Sequence, residues 1–173
     1  TQMLESMIEA PAPTRAEASD VAGAVFDGAD AVMLSAETAA GRHPIEAVQF
    51  MSRIVIEAES HILKHPESGP GQLPVENTVY HAVARTSVSL AETVEAKVMV
   101  AFSSSGNTAL RIARERPSIP FFVMTPNLKV QRRLGLLWGT RTAASAFSED
   151  FESAIAEAID EIKRRNIAGR GQQ

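Results

Sequence analysis

VMVAFSSSGNT, residues 98–108, is an apolar run that passes straight into a serine cluster, a glycine and then Asn107 and Thr108. The run is too short for a helix and rich in strand-favouring residues, whereas residues 108–116 carry helical spacing, so the stretch reads as strand, turn, helix. That unit, repeated, builds an α/β layer on a parallel sheet. Working outward, residues 121–124 (FFVM) read as a second strand and residues 151–165 as a long amphipathic helix. Upstream, residues 75–93 form a helical stretch with Val79, Val83, Thr86, Ser87 and Leu90 on one side.

Further towards the start, residues 64–74 (KHPESGPGQLP) combine Pro66, Pro70 and Pro74 with Gly69 and Gly71, a composition that marks a linker. Before it, the polar cluster of residues 14–20 starts a helix that continues through Val21, Ala22, Val25 and Phe26, with Gly28 placed to stop it. Residues 31–34 (AVML) read as a fully buried strand of the parallel type. Pro44 suits a first helical turn, and Ile45, Val48, Met51, Ile54, Val55, Ala58 and Ile62 continue a stripe to about residue 63. The expected domains are therefore residues 1–63 and 75–173, joined by 64–74.

Composition narrows the function. The chain has 173 residues, 45% hydrophobic and 22% charged, which is enough for one ordinary domain or two small ones. A net charge of -4 disfavours nucleic acid and anionic membranes as partners. No apolar run approaches the roughly 20 residues of a membrane span, and no leader pattern opens the chain, so it reads as cytoplasmic. The absence of cysteine removes disulfides, thiolate nucleophiles and cysteine metal sites. Thr1 at one end and the turn-like residues 169–173 at the other give both ends the look of a cut.

The 103–108 loop has the layout of a phosphate cradle. Gly106 permits a tight turn, hydroxyls and N–H groups of Ser103, Ser104, Ser105 and Thr108 converge, and the helix start adds partial positive charge. The alternative is an ordinary turn in which Asn107 or Thr108 only caps the helix. The Walker lysine is missing, which argues against triphosphate hydrolysis here. Arg111, Arg114, Arg116, Lys129, Arg132 and Arg133 are candidates to reach a further phosphate or carboxylate, with a solvated face as their default. Glu57, His61 and His65 share one helix face at metal-ligand spacing, but a solvent-facing set is the stronger reading, and no metal ligands are assigned. His43 and His81 have no evident partners, and Trp and Tyr are too few for base stacking.

TQMLESM (1–7), PTRAE (13–17), SDVA (19–22), DGAD (27–30) and MLSAETA (33–39), with Gly41 and Pro44, resemble the pyruvate kinase family. Ala36 stands where that family usually has glycine. The resemblance implies the end of a (β/α)8 barrel (the end of strand 7, a helix, strand 8 and a helix), followed by a three-layer α/β C-terminal domain, both truncated. It implies that the parent transfers phosphoryl from phosphoenolpyruvate to ADP in glycolysis, with Mg2+ and K+, and that positioning and charge neutralisation dominate the chemistry. Thr1 matches an active-site residue near the enolpyruvate. Ser35 and Glu37 lie at the end of strand 8 and support it from behind, with a helix-capping pair as the alternative. The metal-binding carboxylates, the lysine and the arginine of the family's centre lie on earlier strands, so the chain alone is expected to be inactive.

The resemblance also implies that Ser103, Ser104, Ser105, Gly106, Asn107 and Thr108 hold the phosphate of a sugar-phosphate or nucleotide effector, although the family's usual loop lysine or arginine is missing. It implies a homo-oligomer, a tetramer. A stand-alone metabolite-sensing module and an interaction piece using residues 75–93 are the competing readings. Residues 1–63, lacking the other barrel strands, are expected to expose apolar surface.

Overall fold

The structure is a computed structural model that describes residues 2–71, 74–145 and 150–167. It divides into two compact units, Thr1–Gln72 and Leu73–Gln173.

In the first unit, a short 3-10 turn at Glu5–Ile8 precedes α1 (Arg15–Phe26). Thr14 caps α1 through a reciprocal box: its Oγ1 accepts from the Glu17 N–H at 3.2 Å, and the Glu17 carboxylate accepts from the Thr14 N–H at 2.8 Å. Gly28, at φ +88°, ends the helix as expected, and the Ala29 N–H closes back on the Ala24 carbonyl. α2 (Ala36–Ala39) is a single turn, and α3 (Pro44–Lys64) starts on its proline. Gly41 lies where a Cβ would sit 2.5 Å from the Glu37 carbonyl oxygen, so only glycine fits between α2 and α3.

The core of this unit is Leu4, Met7, Val21, Ala47 and Met51, with Val32, Leu34, Ile54 and Val55 packed against it. Two expectations change here. Residues 31–34 form no strand ladder among the described residues, because a strand is defined by pairing and no other strand is described in this unit. They are covered on one side only: Val32 and Leu34 meet the core while Met33 is 55% exposed. The α3 stripe also rotates. Ala47, Met51 and Ala58 are buried, whereas Ile45 and Val48 face outward. With Met33, Ile56 and Leu63, they give this unit the exposed apolar surface anticipated for it.

The second unit holds α4 (Val79–Thr93), β1 (Met99–Phe102), α5 (Asn107–Arg114), β2 (Phe121–Thr125), α6 (Leu128–Leu134), β3 (Thr140–Ala144) and α7 (Phe151–Arg164). The strands are parallel in the order β1-β2-β3, with Met99 opposite Phe121 and Phe121 opposite Thr140. Every residue of the central strand β2 is buried. Its period-2 alternation feeds two cores. Phe121 and Val123 pack with Ala84 and Val88 of α4, Ala109 and Ile112 of α5, and Val130 and Leu134 of α6. Phe122 and Met124 pack on the opposite side with Ala143 and Ala158 of α7. The unit is thus helix, sheet, helix in three layers, and each phenylalanine contributes about 2–3 kcal/mol by leaving water.

α6 and β3 were not anticipated. α5 stops at Arg114 rather than residue 116, where the backbone turns left-handed at φ +52°. The reading of α4 is corrected. His81, Ala84 and Val88 face the core, and Val79, Val83 and Leu90 are 76%, 59% and 61% exposed. Ala84 and Val88 are small enough to let α4 lie close to α5, so burial follows the fit and not the bulkiest stripe.

Candidate functional site

Each unit presents a candidate site at a helix start. In the first, Glu37 is 2% exposed, and its carboxylate bridges two stretches far apart in sequence. Oε2 accepts from the Ser35 N–H at 2.7 Å, and Oε1 accepts from the Leu4 N–H at 3.2 Å. Burial pushes this carboxyl up, but the backbone N–H groups of Glu37, Ser35 and Leu4 outweigh it and hold the group below the ordinary carboxylate value. Ser35 is the N-cap residue of α2, yet its hydroxyl makes no capping bond, so the expected Ser–Glu capping pair is half formed. Thr1 lies outside the described residues; the segment that follows it, through Leu4, is what Glu37 secures.

A second carboxylate, not singled out from sequence as a site residue, works the same way. Glu17 accepts from the Ser6 N–H at 2.6 Å and from the hydroxyls of Ser6 and Thr14, besides closing the α1 capping box. Burial opposes its charge, but the donors of Ser6 and Thr14 prevail and lower its pKa from 4.5 to about 2.

In the second unit, β1 ends at Phe102 and α5 begins at Asn107, so residues 103–106 make the whole turn. Ser103 is buried, and its Oγ accepts from the Gly106 N–H at 3.0 Å, which makes it the brace of the turn. Gly106 is the N-cap residue of α5 at φ +88°, with no side-chain cap, so neither Asn107 nor Thr108 fills that role. Ser104, Ser105, Asn107 and Thr108 are exposed around the helix start. Arg133 of α6 donates from Nη2 to the Ser105 carbonyl at 2.6 Å. A Cβ on Gly106 would meet Arg133 Nη2 at 3.0 Å and Leu134 and Val130 at 3.2 Å, so the turn and α6 are in tight contact.

Three of the other basic candidates have engagements elsewhere. Arg114 pairs with Glu76 and donates to the Pro74 carbonyl, Arg111 lies over Tyr80, and Arg116 lies over Trp138. No sequence signal separated Arg133 from these, because its partner lies on another element. Glu57 and His61 line an open groove of about 340 Å³ with Ala22, Phe26, Ile54 and Ala58. His61 and His65 have ring centroids 4.7 Å apart and are exposed. Among the described residues, no group of three or more His, Asp or Glu is placed to hold a metal.

The comparisons with known proteins fall on these same two units. Residues 1–48 match the family model for the pyruvate kinase barrel domain, and residues 81–173 match that for the pyruvate kinase alpha/beta domain. The chain belongs to the pyruvate kinase family. A pyruvate kinase of Agrobacterium vitis is 44% identical over 173 residues, covering 100% of this chain and 36% of that protein. One from Methylorubrum extorquens is 40% identical over 171 residues, covering 99% and 36%. Among solved structures, a pyruvate kinase from Cryptosporidium parvum has a TM-score of 0.85 at 38% identity, covering 99% of this chain and 36% of that one. The Cryptosporidium parvum enzyme in complex with ADP gives a TM-score of 0.80 at 37% identity, covering 99% and 35%. The chain thus spans little more than a third of each of these four pyruvate kinases. The relatives compared are pyruvate kinases, not free-standing metabolite sensors.

Proposed function

We propose that these residues serve a pyruvate kinase that moves a phosphoryl group from phosphoenolpyruvate to ADP, and that this chain supplies one edge of the catalytic site and an effector loop. The supporting observation is the order of the two domain matches along one chain, barrel and then alpha/beta domain. In this reading Thr1 meets the substrate, and Glu37 is a positioning residue: by bonding the N–H groups of Leu4 and Ser35 it fixes the backbone on both sides of the site. Positioning of this kind matters because phosphoryl transfer relies on placement and charge neutralisation more than on covalent help from the protein. Mg2+ and K+ supply charge neutralisation in such enzymes, but the described residues do not form a set fitted to a divalent ion, so no step here runs through a metal.

The loop of Ser104, Ser105, Gly106, Asn107 and Thr108, braced by Ser103, receives the phosphate of a sugar-phosphate or nucleotide effector at the start of α5. The domain limits 1–63, 64–74 and 75–173, a cytoplasmic location and a tetrameric parent belong to the same proposal. No helix among the described residues is long and apolar enough to cross a membrane. The test is a chimera in which these residues replace the matching third of the Agrobacterium vitis pyruvate kinase, beside the chain alone. The chimera is expected to form pyruvate from phosphoenolpyruvate and ADP, and the purified chain none. A folded but inactive chimera, or turnover by the chain itself, overturns the proposal.

A further inference from the structure

Residues 4, 6 and 8, on the short turn that follows Thr1, are each fastened to a different helix start. Leu4 gives its N–H to Glu37 of α2 at 3.2 Å. Ser6 gives its N–H to Glu17 Oε1 at 2.6 Å and its hydroxyl to Glu17 Oε2 at 2.5 Å, at the start of α1. The Ile8 carbonyl accepts at 2.8 Å from the N–H of Arg42, two residues before α3. The side chains of Leu4 and Met7 are fully buried in the core of the unit.

Capping alone does not account for Glu17. The box at α1 is complete with the Thr14 bonds, and Thr14 Oγ1 adds a further donor to Glu17 Oε2 at 2.8 Å. The two bonds from Ser6 are additional. They reach across residues 7–13, which include Pro11 and Pro13, and act on the turn and not on the helix. What lies just ahead of that turn needs restraint: Gln2 has φ +59°, in the left-handed region that a residue with a Cβ rarely adopts. Such a conformation persists only where the surroundings over-determine it, and it clusters at functional sites.

We propose that Glu17 is a second positioning residue for phosphoryl transfer: by clamping Ser6 it makes residues 4–8 a fixed platform, which keeps Gln2 left-handed and so aims Thr1. This role rests on Thr1 meeting the substrate. Glu17 supplies placement, with no proton or covalent bond exchanged, and placement is a main contribution of the protein to phosphoryl transfer. It divides the work with Glu37. Glu37 is buried, so its loss disturbs the core, whereas Glu17 is half-buried and Glu17→Gln keeps its volume, so an effect on turnover can be read in a folded protein.

The test uses the chimera with the Agrobacterium vitis enzyme, with kcat and KM for phosphoenolpyruvate measured well below its Tm. Glu17→Gln turns an acceptor of four hydrogen bonds into a group with N–H donors. It is expected to lower kcat about tenfold while KM changes less than about twofold, the pattern of lost transition-state alignment. Ser6→Ala should give a smaller loss of the same kind, and adding it to Glu17→Gln should change little more. Gln2→Gly should lower kcat without lowering Tm, because glycine takes the left-handed conformation freely but does not hold it. Should Glu17→Gln not fold, Ser6→Ala and Gln2→Gly decide in its place, and unchanged kcat in both overturns the proposal. A lower Tm with kcat unchanged in Glu17→Gln, or losses from Glu17→Gln and Ser6→Ala that simply add, makes the acid a brace of the fold alone and overturns it too. If the unsubstituted chimera is inactive, the assignment of phosphoryl transfer falls, and this role of Glu17 with it.

Discussion

The starts of α2 and α5 meet the same physical demand in opposite ways. Both follow a strand-like stretch, and both present backbone N–H groups with no helical partner. At α2, the chain's own Glu37 accepts from Ser35 and Leu4, and α1 is closed likewise by Glu17. At α5, the N-cap residue Gly106 has no side chain of its own to cap with; neutral hydroxyls accept instead, Ser103 Oγ from the Gly106 N–H at 3.0 Å and Ser105 Oγ from the Asn107 N–H at 3.4 Å, and the surrounding Ser104, Ser105 and Thr108 are exposed. A helix start closed by an internal carboxylate already holds a negative charge, whereas one closed by neutral hydroxyls holds none and leaves its partial positive charge uncompensated. That contrast underlies the assignment of Glu37 to positioning and of the serine loop to an effector.

Emptying the filled start is expected to have the largest effect. Glu37→Ala leaves the fully buried Leu4 without its acceptor and opens a void, which should cost about 2–3 kcal/mol. Hydrogen exchange at residues 4–8 and 35–37 should speed up accordingly; unchanged protection would remove Glu37 from its positioning role. Deforming the open start comes next. Gly106→Ala puts a Cβ on a left-handed residue and within 3.0–3.2 Å of Arg133, Leu134 and Val130, for an expected cost of about 1–2 kcal/mol. Urea unfolding read at Trp138 checks it, and wild-type stability would show that the turn is not held as described. The smallest effect concerns Glu17. Its folded pKa of about 2 lies below the ordinary 4.5, so its contribution is present above about pH 4.5 and fades as pH falls towards 2. Glu17→Gln should cost about 1 kcal/mol at neutral pH and flatten, without abolishing, the acid limb of exchange at residues 6 and 14. An unaltered limb would assign the acid sensitivity to Glu37 instead.

Much of the architecture was legible because it rests on local chemistry. The polar cluster of residues 14–20 announced α1, Gly28 its end, and the 98–108 stretch the strand, turn and helix. What escaped depended on partners distant in sequence. The stripe of Val79, Val83 and Leu90 was visible, but periodicity identifies apolar residues and not the side on which this chain supplies a neighbour; His81, Ala84 and Val88 took the inner face. Residues 31–34 had strand composition without a described strand to pair with. β3 passed unnoticed because Thr140, Arg141 and Thr142 look like a loop until β2 is placed beside them. For the candidate sites, Ser35 and Glu37 were named from the family resemblance and the serine loop from its strand-to-helix layout. The reach of Glu37 to Leu4 and of Arg133 to Ser105 belongs to tertiary structure alone.

The strand order β1-β2-β3 also bears on how the second unit is made. Each new strand pairs with the one synthesised just before it, with one helix between, so the growing edge always faces the segment leaving the ribosome. Among the described strands, none pairs with a strand more than one helix away in sequence. The sheet can assemble vectorially, one crossover at a time, with short loops to close at each step.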